Sequence, residues 1–165
     1  MSAILAELNA GANSGTDVII RTLELTCDGW DSPVLICNGF EDVTAITEDG
    51  RTLLFEAANI DISLAAKNNK GNQTLAFAVD NTTGEVSHKV DDATEARARV
   101  NATYRTYTNG NLSAPAERPY YLTVLSGSIQ GVEAQLQTGY FNMIGVAWPR
   151  ALYTVNFTPG LRYML

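Results

Sequence analysis

The sequence is poor in the residues that carry chemistry. It has one histidine, two cysteines, and charged residues at only 18% of its 165 positions. The histidine, His88, sits in a polar stretch with Asp91 and Asp92 just after it, the setting of a solvated side chain rather than of a general base. Cys27 and Cys37 are ten residues apart without a CxxC pair, which supports neither zinc nor iron–sulfur ligation. They read as two small buried thiols, with a disulfide as the alternative. There is no Gly-x-Ser-x-Gly elbow and no phosphate-loop lysine, and Gly11 and Gly15 are too widely spaced for a dinucleotide fingerprint. The carboxylate pairs Glu41/Asp42 and Asp91/Asp92 are adjacent in sequence, so their side chains diverge on any regular element and cannot flank one bond. The segment from Asp80 to Glu85 lacks the ligand spacing of a calcium loop. Catalytic, metal and cofactor sites are therefore not expected.

Two further shortages exclude partners. Eleven Lys and Arg stand against eighteen Asp and Glu, a net charge of −7, and phosphate binding needs clustered cations to release counterions. Specific nucleic-acid binding is not expected. The longest apolar runs, Val34–Cys37 and Met143–Trp148, fall far short of the roughly 20 residues that cross a bilayer. The first residues carry neither a basic region nor a long apolar run, so neither a secretory signal nor a membrane partner is expected, and synthesis in the cytoplasm is.

What is there is a β-forming chain. Hydrophobic residues make up 45%, enough for one domain over 1–165 with a core that needs no staples. Ile4, Leu5 and Leu8 make a short helical stripe, so 1–16 is expected to be an N-terminal helix or arm. From Asp17 the period changes to two. Ile19, Leu23, Leu25 and Cys27 alternate with Ile20, Thr22, Glu24 and Thr26, which predicts a half-buried strand. Further strands are expected at Val34–Cys37, Val43–Thr47, Arg51–Glu56, Ile60–Leu64, Thr74–Asp80, Val100–Tyr107, Tyr120–Leu125 and Val132–Gln137. Glu48-Asp49-Gly50 predicts a tight hairpin with positive φ angles at Asp-Gly. Lys67–Asn72 reads as a loop and Ser126-Gly127-Ser128 as a turn. One helix is expected over Thr83–Arg99, capped by Asn81, with Glu95 and Arg99 spaced for an i,i+4 pair. Many short strands, one inserted helix and no βαβ rhythm predict a mainly β (α+β) sandwich or barrel.

The ending is distinctive. Six aromatic residues and two prolines fall between Tyr140 and Leu165, which defines a C-terminal arm over 140–165. Aromatic faces can stack on sugars, but in a β protein they more often fill a core or a subunit contact. Pro149 and Pro159 limit ladder pairing, so a strand-like arm that leaves the domain and packs on a neighbour is expected. Its contact residues are Phe141, Trp148, Pro149, Tyr153, Phe157, Pro159, Leu161 and Tyr163.

The run Phe141-Asn-Met-Ile-Gly-Val-Ala-Trp-Pro149, followed by Tyr153-Thr-Val-Asn-Phe157-Thr-Pro159-Gly-Leu161, resembles the ending of an uncharacterised family of tail-tip proteins of long-tailed bacteriophages. The resemblance extends to Ile36–Glu56 with its Leu53-Leu54-Phe55, and to Leu75–Asp80 with Asn81, touching most of residues 18–165. Such proteins are encoded next to the tail-tip peptidase, in the place of a hub or distal-tail minor tail protein. The resemblance implies a virion protein with a tail-tube-like β-sandwich or split barrel and one flanking helix. It also implies a homo-oligomeric ring, trimeric or hexameric, that contacts neighbouring phage tail proteins and continues the tail channel. Some relatives of the hub hold an iron–sulfur cluster on several cysteines, which Cys27 and Cys37 alone do not supply. Another virion β protein, such as a tail-tube or tail-completion subunit, and a carbohydrate- or receptor-binding module are the alternatives.

Overall fold

Period-two alternation turns into strands wherever it was read. The structure, a computed structural model, describes Ala10 and residues 18–63, 74–80, 84–131, 133–140 and 153–163. The expected N-terminal helix, the loop Lys67–Asn72, the cap Asn81, and Phe141, Trp148 and Pro149 of the arm lie outside the described residues. The strands are β1 (Ile19–Cys27), β2 (Val34–Asn38), β3 (Val43–Ile46), β4 (Thr52–Ala58), β5 (Ile60–Ser63), β6 (Thr74–Asp80), β7 (Val100–Thr108), β8 (Tyr120–Gln130) and β9 (Glu133–Gly139). One helix, α1 (Glu85–Glu95), precedes β7. The protein is mainly β, as expected.

The strands form a single mixed sheet in the order β3-β4-β2-β1-β7-β8-β9-β6-β5, in which only β2 and β4 pair in parallel. Its ladder does not close, yet its ends are held near each other. β4 lies beside β2 and β5 lies beside β6 at the far edge, and only Asn59 separates β4 from β5 in the chain. The sheet must therefore curl until the two ends meet at that residue. The Asp80 N–H donates to the Asn59 carbonyl at 3.1 Å and ties β6 to the joint. The result is a curled but open sheet whose two end regions are joined by covalent chain, β4 running into β5.

Inward-facing positions fill the curl. Leu23 and Leu25, Val34 and Ile36, Ile60, Phe77 and Val79, Ala102 and Tyr104, Leu122, and Ala134 and Leu136 come from seven strands and make one core. Removing a side chain such as Phe77 from such a core costs about 3–5 kcal/mol. Helix α1 adds Val86 and Ala93 to it, with half-buried Val90 beside them. Trp30, in the β1–β2 turn, holds the helix: its indole N–H donates to the Lys89 carbonyl at 3.0 Å, and the Lys89 ammonium lies 5.9 Å from its ring.

The helix is shorter than expected, and both of its ends differ. Gly84, at φ 75°, occupies the N-cap position that Asn81 was expected to fill, with no side-chain cap. The far end closes with Ala98 N–H donating to the Ala93 carbonyl and Arg97 N–H to that of Thr94, a Schellman arrangement that puts Arg97 at φ 52°. Arg99 is thus beyond the helix and does not pair with Glu95. The i,i+4 ion pair that forms is Glu85–Lys89, at 2.7 Å.

Two turns are also corrected. In the β3–β4 hairpin only Gly50 has a positive φ, 78°, and Gly50 N–H donates to the Thr47 carbonyl. The reversal is a type I turn followed by a glycine bulge rather than a two-residue turn. Ser126-Gly127-Ser128 is no turn at all but part of β8, just past a bulge between Val124 and Ser126. A Cβ on Gly127 would meet the Leu136 side chain at 3.2 Å and Val90 at 3.8 Å, so this glycine makes room under α1. The chain reverses at Gly131, φ 63°.

Candidate functional site

β1 and β7 are covered on their outer face as well. The β3–β4 hairpin folds over them, and Cys37, Ala45, Phe55 and Tyr107 form a second, smaller core under it. This makes β1 buried on both faces rather than half-buried: Thr22, Leu23, Glu24 and Leu25 are all buried in a row. Arg105, on the outer face of β7, is among the largest fully buried side chains. An unpaired charge there would cost several kcal/mol.

Two carboxylates match it. Thr22 pairs with Arg105 across β1 and β7, which places Glu24 one step along the same face, and its Oε2 accepts from Arg105 Nη1 at 2.6 Å. Glu48, at the hairpin tip, accepts from Arg105 Nε and Nη2 at 2.7 and 2.9 Å, a bidentate pair. Arg51 Nη1 adds 3.2 Å to Glu24 Oε1, so two cations balance two anions. The Arg105 bonds, helped by one from Tyr121, outweigh partial burial and hold the Glu48 carboxyl down at about 2. Burial works against the Arg105 charge, but its bonds to Glu48 and Glu24 outweigh it and raise the guanidinium pKa. Every partner in this cluster is engaged, and it fastens the hairpin tip to the sheet.

The cluster also reaches a concave site. Tyr121, outward-facing at the start of β8, donates from its hydroxyl to Glu48 Oε1 at 2.7 Å. Its neighbour Tyr120 faces the other way and packs on Tyr104 with ring centroids 6.0 Å apart, and Tyr104 packs on core Phe77 at 6.1 Å. Thr123 pairs with Gly139, so the chain leaving β9 carries Tyr140 alongside. Glu117, Arg118, Pro119, Tyr120, Tyr121 and Tyr140 line an open hollow of about 570 Å³. Gly127, under α1, lies roughly 23 Å further along β8, so the hollow and the helix occupy opposite ends of the strand. The sequence hinted at this hollow only through its Pro-Tyr-Tyr triplet, because Tyr140 joins through strand register.

The arm of 140–165 is another exposed aromatic feature, beside the lone Phe40 between β2 and β3. Its described part is turned rather than strand-like, against the expectation from the sequence. Thr154 accepts from the N–H groups of Phe157 and Thr158, and Pro159–Tyr163 then form a 3-10 turn. Proline has no N–H to lose at the first position of such a turn, so Pro159 starts it rather than breaking a ladder. Tyr153, Phe157 and Tyr163 are 78%, 79% and 87% exposed, Pro159 is exposed and Leu161 half-buried. The segment from Ala134 to Leu165 has no acidic residue and two arginines, Arg150 and Arg162, whereas residues 1–133 hold nine Lys and Arg against eighteen Asp and Glu, or −9.

The residues considered for chemistry are scattered. His88, Asp91 and Asp92 are exposed on α1, and Glu41 is exposed. Asp42 accepts from the Ala57 N–H at 2.9 Å, bracing the hairpin. Both cysteines are free thiols, with Cys27 half-buried and Cys37 buried. Cys37 Sγ points at the carbonyls of Phe55 and Glu41, and burial raises its pKa, the reverse of an activated thiolate. Among the described residues no group of three or more His, Cys, Asp or Glu is placed to hold a metal, and no helix is long and apolar enough to cross a membrane.

No curated protein matches the chain. One family model does, over residues 3–153, leaving only the first two residues and the distal arm outside it. With all nine strands of the sheet and helix α1 inside that match, the chain belongs to the family described as "Domain of unknown function (DUF1833)".

Proposed function

We propose that this protein is a structural subunit of a tailed-phage virion, part of the tail-tip hub or distal-tail ring, that assembles with its own kind through the C-terminal arm. The observation that carries the assembly reading is the arm itself. Three aromatic side chains at 78–87% exposure leave apolar surface in water that a partner would cover, and exposed apolar patches of this kind mark interaction sites. The place in the virion rests on the resemblance of the 141–161 and 36–56 motifs to tail-tip proteins. A net charge of −7 suits a ring through which DNA passes, because it repels phosphates.

The test is native mass measurement and electron microscopy of the purified full chain, together with locating it in purified particles. A homogeneous ring that is lost on deletion of Pro159–Leu165 supports the reading. An oligomeric mass unchanged by that deletion sinks the arm's role, and absence of the protein from particles sinks the virion assignment. A tail-tube or tail-completion subunit would show instead as a position along or above the tube. The tyrosine hollow favours a second reading, a carbohydrate- or receptor-binding module, since tyrosines around an open concavity suit stacking on sugar faces. Binding of host polysaccharide by a monomeric chain would favour that module.

A further inference from the structure

We infer that the tyrosine hollow is the seat of the C-terminal arm of a second copy of this chain, so that each copy offers one arm and receives another. The inference rests on the assembly reading above and specifies its contact. The described distal part of the arm, residues 153–163, is not packed into its own hollow: Tyr153, Phe157 and Tyr163 are 78–87% exposed. The hollow offers what such an arm lacks. Tyr120 is backed by Tyr104 and Phe77, and Tyr121 is held by Glu48, so its walls are fixed before anything binds and little side-chain freedom is lost on docking. At about 570 Å³ it falls within the roughly 300–1,000 Å³ of ligand-sized sites, room for a few side chains but not for a folded domain. Tyrosine, proline and a charged rim are the composition of an interface centre and its edge.

Charge selects the occupant. Bodies of −9 repel one another, which disfavours a contact of body on body, while an arm with two arginines and no acid is attracted to such a body. Glu117 lines the hollow, so it has a carboxylate to meet Arg150 or Arg162. Arg118 is the one basic residue among the described residues lining it. An arm-to-hollow contact is head to tail, and such contacts generate rings when the rotation closes.

The experiment uses the full-length chain with Cys27→Ser and Cys37→Ala. Arg118→Cys marks the rim of the hollow, and Gly160→Cys marks the arm, where an added Cβ meets nothing within 4 Å. Mixing the two single variants and oxidising should give a disulfide-linked pair roughly tenfold above either variant alone, a ratio equivalent to about 1.4 kcal/mol of preference. A chain carrying both cysteines should link into multimers. Closure of that chain on itself, or no linkage above the controls, overturns the inference. Tyr121→Ser with Tyr140→Ser, checked for an unchanged fold by circular dichroism, should weaken assembly by roughly a hundredfold, as for two interface hot spots. If deleting Pro159–Leu165 abolishes assembly while this double variant assembles normally, the hollow is not the seat and the arm reading stands. If the deletion leaves assembly intact, the arm reading itself has failed.

Discussion

The two outer faces of the curled sheet solve the same problem in opposite ways. On one side, β1 and β7 lie beneath the β3–β4 hairpin, and the polar residues trapped there are joined in the Arg105–Glu24–Glu48 cluster. On the other, β6, β9 and β8 turn Ala76, Ala78, Gln135, Gln137, Ser126 and Ser128 outward into a trough walled by small and polar side chains. Both halves share the inner core, so what differs is only whether a second layer covers the strand. A covered face must neutralise any charge it encloses, whereas a bare face needs only small or polar side chains that water can reach. The cluster is weak evidence for stability in itself, since buried ion pairs often break even against apolar replacements. Its clearer consequence is positional, because it joins the hairpin tip to β7 and, through Tyr121, to the hollow.

The sharpest way to break this contrast is Arg105→Ala, which leaves buried Glu24 with Arg51 alone and takes the bidentate partner from Glu48. The expected loss is about 3–5 kcal/mol, read as a lower denaturation midpoint in urea. A loss below about 1 kcal/mol would show that water reaches the cluster. Acid should do part of the same damage. The Glu48 pKa is lowered from 4.5 to about 2, so its contribution is fully present above pH 4.5 and is lost as the pH falls toward 2. Solvent screening at the exposed hairpin tip should keep the loss well below the ~3 kcal/mol that the full shift would correspond to. Melting curves across that window should show the decline, and Glu48→Gln should flatten it while starting from a lower stability.

The bare half should respond on its inner side only. Gly127→Val drives a branched side chain toward Leu136 and Val90, at an expected cost of about 1–3 kcal/mol by thermal or urea unfolding. Gln135→Ala, on the outer side of the same half, should stay within about 0.5 kcal/mol of the parent. A larger change at Gln135 would mean that this face too is covered, by another copy or by chain outside the described residues.

Much of the fold was legible from local pattern, and the failures share a cause. The hairpin at Glu48-Asp49-Gly50 and most strands could be read because turn chemistry and alternation are local signals. Glu24 read as the polar side of a half-buried strand, and nothing local marked Arg105 as buried, because alternation says which residues share a face, not whether that face is covered. Ser126-Gly127-Ser128 read as a turn because a glycine that makes room for Leu136 and one that reverses the chain look alike in sequence. Along the arm, the concentration of rings and prolines was visible, while its turned conformation was not, because Pro159 can end a ladder or begin a turn.

The sequence by itself determined that this protein is mainly β and that its last residues are rich in aromatic rings, free of acids and unlike the rest. These follow from composition and short-range periodicity, which the chain carries without folding. Only the tertiary structure decided that β4 continues into β5 at opposite ends of one sheet, that Arg105 is buried against Glu24 and Glu48, and that Tyr140 meets Tyr120 and Tyr121 around a hollow. Each depends on pairing between residues far apart in the chain, which is set by how the whole sheet curls to bury its inner face.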